Sequence, residues 1–151
     1  MTIQITAERP DTPEAVQLIE ELEGILAPGY PAASRHGYSV DKLVSQGVAF
    51  FLLRADGSPA GCGGVQIFGR EYGELKRLYV RTRYRGKGLA RMLIKHLADY
   101  ARAQGVPVLR LETGIFQREA IGLYESSGFY RIPPFGSYKF DPLSVYFEKK
   151  L

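Results

Sequence analysis

Residues 81–91, RTRYRGKGLAR, set two glycines among arginines and a lysine, directly ahead of an amphipathic run. The first turn of a helix exposes backbone N–H groups without intrahelical partners, at the positive end of the macrodipole. Gly86 and Gly88 permit positive φ there and let a ligand approach the backbone closely. Arg83, Arg85, Lys87 and Arg91 add counter-charge. Together these residues read as a cradle for a diphosphate.

Spacing narrows the ligand. GxxxxGK[ST] is absent, which excludes a P-loop. GxGxxG fails because Arg91 stands in the third glycine's place, and no acidic residue follows at the distance of a ribose contact. What remains is Arg-x-x-Gly-x-Ala, formed by Arg85, Gly88 and Ala90. A plain helix cap with its charges facing water would use the same residues, so other segments must decide. The net charge of +4 is uneven, with Glu14, Glu20, Glu21 and Glu23 early and the basic residues concentrated over 76–91. Those basic positions alternate with turn and core positions and line no single helix face, which argues against a nucleic-acid partner.

A second feature lies just upstream, in GELKRLYV (73–80). Its apolar residues Leu75, Leu78 and Val80 are spaced three, then two, where a regular strand keeps two throughout. One extra residue between Leu75 and Leu78 restores the facing and predicts a β-bulge. A bulge twists its strand and frees an N–H to hold something else.

Both features need a frame. A chain of 151 residues, 45% apolar and 24% charged, suits one globular domain over 1–151. No apolar run reaches the roughly 18 residues of a membrane helix. The opening MTIQITAERP lacks the pattern of a signal peptide, and the lone cysteine, Cys62, fits a reducing compartment. The expected location is therefore cytoplasmic, with no membrane partner. Periodicity predicts strands over 3–9, 48–54, 60–68, 73–80, 107–114, 129–132 and 143–150. Helices are expected over 13–26, 40–47, 89–105 and 118–128. Val16, Ile19, Leu22 and Leu26 form the predicted stripe of the first. Leu89, Met92, Leu93, Leu97, Tyr100 and Ala101 form that of the third. Strands before residue 73 can pair antiparallel, and the later helices suggest parallel crossovers. The fold class is α/β: three layers, with a mixed, mostly antiparallel twisted sheet of about seven strands.

VRTRYRGKGLARMLI, after GELKRLYV and before ETG and AIGLYESSGF, resembles the GCN5-related N-acetyltransferase superfamily. Arg85-Gly86-Lys87-Gly88-Leu89-Ala90 is similar to that family's acetyl-CoA pyrophosphate loop. Ala120-Ile121, Leu123-Tyr124-Glu125 and Gly128-Phe129 are similar to its later helix–strand segment. The resemblance implies that amides from Arg85 to Arg91 bind the pyrophosphate of acetyl-CoA. It implies further that the strand at Leu78, Tyr79 and Val80 holds the pantetheine arm, with an amide near Leu78 or Tyr79 polarising the thioester carbonyl. The acetyl group would pass to an amine, with no metal required. Tyr124 stands where the family commonly places a tyrosine near the cofactor sulfur, and is the expected general acid. Glu74 matches a glutamate that often serves as base, and Glu112 is the second choice. Gln117 replaces a frequent asparagine beside the pantetheine arm.

An ammonium must lose a proton before it attacks, and the oxyanion needs a preorganised donor. Cys62 could support a covalent acetyl-enzyme. Its glycine-flanked strand position reads instead as packing, which favours direct attack in a ternary complex. The aromatic-rich loops 27–39 and 133–142 are expected to bind the acceptor through Tyr30, His36, Tyr38 and Tyr138. Arg35 and Lys139 near them lean toward an amino acid or peptide-like amine. The alternative is a non-catalytic acyl-CoA sensor, and a homodimer is left open.

Overall fold

The computed structural model describes residues 1–151. Strand β1 (Ile3–Ala7) leads into helix α1 (Pro13–Leu26), and two short 3₁₀ turns precede helix α2 (Val40–Ser45). Thr12 caps α1 by accepting from the Ala15 N–H, and Pro13 occupies the first turn. Next come β2 (Ala49–Ala55), β3 (Ser58–Phe68) and β4 (Tyr72–Val80). The turn between β2 and β3 is tighter than expected. Asp56 and Gly57 make it alone, both at positive φ, so Ser58 and Pro59 join the strand. Helix α3 (Leu89–Ala103), β5 (Val108–Gly114), helix α4 (Arg118–Ser126), β6 (Tyr130–Ile132) and β7 (Ser144–Lys150) complete the chain.

The seven strands form one mixed sheet in the order β1-β2-β3-β4-β5-β7-β6. Only β4 and β5 pair in parallel, joined by the α3 crossover. The α4 crossover also keeps direction, but β7 inserts between β5 and β6 and pairs antiparallel with both. Phe50, Leu52 and Cys62 pack with Ala15, Leu18 and Ile19 of α1 and Leu43 of α2. Phe51, Val65, Leu75, Leu109 and Leu111 face α3 and α4 on the other side. Alternation along each strand thus builds two cores, one per face of the sheet. No helix is long and apolar enough to cross a membrane.

Two stripes differ from expectation. On α3 the buried arc is Leu89, Leu93, Ile94, Leu97, Ala98 and Ala101, while Met92 is 42% exposed. On α1 it is Ala15, Leu18 and Ile19, with Val16 only half-buried. In both helices the buried arc lies to one side of the predicted stripe, because adjacent lines of the helix are both apolar and only one is turned fully to the sheet.

Candidate active site

The predicted bulge is present. Lys76 pairs with Gly64 and Tyr79 with Cys62, so two residues of β4 stand opposite Gly63 alone. Arg77 supplies the irregularity, with φ of 54°. That left-handed conformation costs a non-glycine residue roughly 1–2 kcal/mol. Its side chain is anchored in compensation. Nε donates to the Tyr38 carbonyl at 2.9 Å, and the guanidinium pairs with Glu23 of α1.

Beyond the bulge the sheet opens. β4 and β5 pair only at Gly73–Leu109 and Glu74–Arg110, then separate toward Val80 and Gly114. A cleft of about 550 Å³ occupies the mouth of this wedge. Its walls include Leu78, Tyr79 and Val80 of β4, the α3 start from Gly88 to Arg91, and Gln117, Ala120 and Tyr124 of α4. An inner cavity of about 130 Å³ continues it, between Leu75, Arg77 and Leu78 on one strand and Leu111, Glu112 and Thr113 on the other. An outer cleft of about 660 Å³ lies on the α1–α2 side, lined by Tyr38, Lys42, Tyr72, Glu74, Lys76 and Tyr138 among others. The mouth and inner cavity share Leu22, Leu78, Gln117, Ala120 and Tyr124. The inner cavity and outer cleft share Ser34, Arg35, His36 and Gly37. The three spaces adjoin in series.

At the α3 start, Gly86 and Gly88 have φ of 76° and 77°, and no side chain caps the helix. An added Cβ at either glycine would meet no atom within 4 Å, so the free amides face open space. Arg85 and Arg91 line this space, whereas Lys87 and Arg83 do not. Arg85 donates to the Val80 carbonyl at 3.2 Å and meets the exposed Glu119 at 3.5 Å, a weak contact an anion can displace. Arg91 reaches Ser126 Oγ at 2.7 Å. The cradle fits a diphosphate.

The side chains expected to do chemistry fall into two groups. Tyr124 is 7% exposed, and its hydroxyl has no hydrogen-bond partner in the protein. Burial, reinforced by Glu112, pushes its pKa above the usual phenol range. Glu112 lines the same inner cavity and accepts from Ser144 Oγ at 2.7 Å. Burial raises its pKa, opposed by that bond and by His36 and Lys76. Glu74 is elsewhere. It lines the outer cleft, and one of its oxygens accepts from Lys76 Nζ at 2.7 Å and from Tyr138 Oη at 2.6 Å. Burial lowers the Lys76 pKa against the pull of Glu74, and the ammonium stands 3.8 Å from the Tyr38 ring centre.

The aromatic loops converge on these spaces, but not equally. Tyr30 is buried, and its hydroxyl accepts from the Phe116 N–H at 2.9 Å, so it pins its loop beside the inner cavity. Tyr38 and Tyr138 wall the outer cleft. His36 bonds Asp141 Oδ2 through Nε2 at 2.9 Å and meets Tyr138 edge-on. These contacts tether His36 at the wall shared by the inner cavity and the outer cleft. Cys62 is fully buried, donates to the Arg77 carbonyl, and has its thiol pushed up to about 12 by burial. It holds no thiolate at neutral pH.

Residues 18–129 match the Acetyltransferase (GNAT) family. The chain belongs to it.

An IAA acetyltransferase of Azospirillum brasilense is 41% identical over 150 residues, covering 99% of this chain and 98% of that protein. The crystal structure of a candidate acyl-CoA N-acyltransferase from Klebsiella pneumoniae superposes with a TM-score of 0.85 at 32% identity, over 99% of this chain and 98% of the other. The PaiA N-acetyltransferase of Thermoplasma acidophilum, solved with coenzyme A, shares the fold with a TM-score of 0.79 at 21% identity, over the full length of both. The protein is thus an acetyltransferase of the GNAT family. Sequence reasoning missed Leu22, Ile25 and Phe116 as walls of this acetyltransferase's mouth cleft, and Asp141 as the partner of His36. The walls come from a helix flank and a loop, where apolar residues carry no local signal of a cleft.

Proposed function

We propose that the protein moves the acetyl group of acetyl-CoA to a primary amine by direct attack in a ternary complex, and that the amine is an amino acid or peptide-like. One observation carries this reading. The mouth cleft and the outer cleft meet at a single inner cavity, so a donor and an acceptor entering from opposite sides converge there.

Acetyl-CoA, when bound, supplies an acyl group activated as a thioester. The amides of Arg85, Gly86, Lys87, Gly88, Leu89, Ala90 and Arg91 are suited to the pyrophosphate, with Arg85 and Arg91 adding charge. Leu78, Tyr79 and Val80, on the strand that has left β5, have backbone to offer the pantetheine arm, and Gln117 flanks it. An amide at the bulge, near Leu78 or Tyr79, serves as the oxyanion donor.

Glu112 removes the ammonium proton. It lines the inner cavity, and its raised pKa lies nearer the neutral range where a general base is effective. Glu74 is less suited, because its carboxylate is already committed to Lys76 and Tyr138. Tyr124 offers its unpartnered hydroxyl to the leaving thiolate. Its pKa lies above that of a thiol, so it donates a hydrogen bond and passes on the amine's second proton without ionising. Tyr38 and Tyr138 form the aromatic wall for the acceptor, with Tyr30 and His36 shaping its inner end. Lys42 and Lys139 stand at the rim for a carboxylate.

Thiol release from acetyl-CoA over a panel of amino acids, peptides and polyamines tests the reading. Turnover with carboxylate-bearing amines is expected. Tight acetyl-CoA binding without thiol release for any amine would leave a sensor in its place.

A further inference from the structure

The outer cleft carries more positive charge than its own acids can pair. Arg35, Lys42, Lys76 and Lys139 line it, against the carboxylates of Glu74 and Asp141. Both acids are engaged. Glu74 accepts from Lys76 Nζ and Tyr138 Oη, at 2.7 and 2.6 Å. Asp141 meets His36 Nε2 and the Leu143 N–H, each at 2.9 Å. Arg35 leans on Glu23 at 3.8 Å, a carboxylate that Arg77 also holds. That leaves Lys42, on α2, and Lys139, on the β6–β7 loop, without an acid to pair with.

Surface lysines without partners are ordinary, but Lys42 is not loose. Its ammonium stands 4.5 Å from the centre of the Tyr38 ring, and that of Lys76 stands 3.8 Å from the same centre. Burial, and to a smaller degree repulsion from Lys42, lowers the Lys76 pKa against the pull of Glu74. An incoming carboxylate relieves that repulsion, whereas a second ammonium adds to it. The Tyr146 hydroxyl donates to the Lys139 carbonyl at 3.2 Å, which anchors the loop that carries Lys139.

Strand β4 sets the length of what can bind. The inner cavity touches it at Leu75, Arg77 and Leu78, and the outer cleft at Tyr72, Glu74 and Lys76. From an oxyanion donor near Leu78 or Tyr79, Lys76 is two or three residues back. That is about 5–10 Å of strand. The nitrogen and carboxyl carbon of an α-amino acid lie only about 2.5 Å apart.

We infer that the acceptor carries its amine and a carboxylate at opposite ends, farther apart than in an α-amino acid, and that Lys42 and Lys139 read the carboxylate. An ω-amino acid and the two ends of a short peptide share that chemistry. A tripeptide, at up to about 3.6 Å per residue, spans about 10 Å. A charge-assisted hydrogen bond from either lysine orients the far end while the amine enters the inner cavity.

The inference rests on the acetyl-transfer reading, and its test separates the two. Thiol release is measured with 6-aminohexanoate and triglycine, with the primary amide of each, and with glycine. At least one of the long acids should exceed both its amide and glycine by about tenfold or more in kcat/KM, the scale of one charge-assisted hydrogen bond. Which of them leads tells a free ω-amino acid from a peptide. Lys42→Ala and Lys139→Ala, at exposed positions, should shrink that advantage through a higher KM for the acid, and Lys42→Arg should keep most of it. Amides as good as the acids overturn the inference and leave acetyl transfer standing. So do glycine as the best acceptor, and an advantage that survives both alanine variants. A wild type that binds acetyl-CoA and releases no thiol with any amine overturns the acetyl-transfer reading, and this inference with it.

Discussion

Arg77 Nε donates to the Tyr38 carbonyl at 2.9 Å, and this bond ties the bulge of β4 to the loop that walls the outer cleft. The same guanidinium lies against Gly37, where an added Cβ would stand 2.4 Å from Nη1. The bulged strand and the loop at Gly37 and Tyr38 are therefore held by one side chain. Gly37→Ala should push the loop off Arg77 and raise the amine KM severalfold while leaving acetyl-CoA affinity intact. Arg77→Ala should do the same and lower stability by about 1–3 kcal/mol, the cost of stranding buried polar partners. Steady-state kinetics with each substrate varied in turn will check this. Equal loss of affinity for both substrates would contradict the separation.

Gly88 opens α3 at φ of 77° with clear space beyond its Cα. Gly88→Val should cost about 1–2 kcal/mol from the left-handed backbone. It should also abolish donor binding, because the side chain would occupy the room in front of the free amides. Acetyl-CoA at a hundred times its Kd should raise the wild type's stability by about 2.7 kcal/mol. The variant should show no such rise in a thermal melt. A folded variant that keeps the shift would remove the cradle from the account.

The Tyr124 hydroxyl has no protein partner although the residue is 7% exposed. Tyr124→Phe removes only that hydroxyl, so the fold should be unharmed. Turnover should fall by about 10²-fold, typical of a lost proton donor, with unchanged acetyl-CoA affinity. If kcat is unaffected, Tyr124 is a packing residue and another group meets the thiolate.

Much of this arrangement was legible in local sequence. The bulge could be read because Leu75 and Leu78 both face α3, and a strand can do that at spacing three only by inserting a residue. The start of helix α1 could be read from Pro13 behind a capping side chain. The buried arc of α3 was misjudged at Met92, because residue type does not reveal which of two adjacent apolar lines meets the sheet. His36 and Asp141 lie 105 residues apart, and nothing local to either announces the other. Glu74 and Glu112 were equally visible as carboxylates. Their difference lies in partners brought by the fold, namely Lys76 and Tyr138 for one and Ser144 for the other.

That difference gives the two glutamates opposite signatures. Burial holds the Glu112 pKa above the ordinary 4.5, so ionising it costs the fold more than the unfolded chain. Below 4.5 both states are protonated, and the residue leaves stability unaffected by pH. As pH rises through that value the unfolded chain ionises first, and stability falls until the folded pKa is passed. Glu112→Gln should therefore be more stable than the wild type near about pH 7 and no different near about pH 4. It should also lose most of its activity. Glu74→Gln strands Lys76 in a buried site and should lose about 1–3 kcal/mol, moderated because the ammonium can shed its proton. Its kcat should fall less than that of Glu112→Gln. Denaturant melts at both pH values, with thiol-release assays on the same samples, measure all four quantities. A Glu74→Gln protein that is stable but inactive, beside an active Glu112→Gln, would return the base to Glu74.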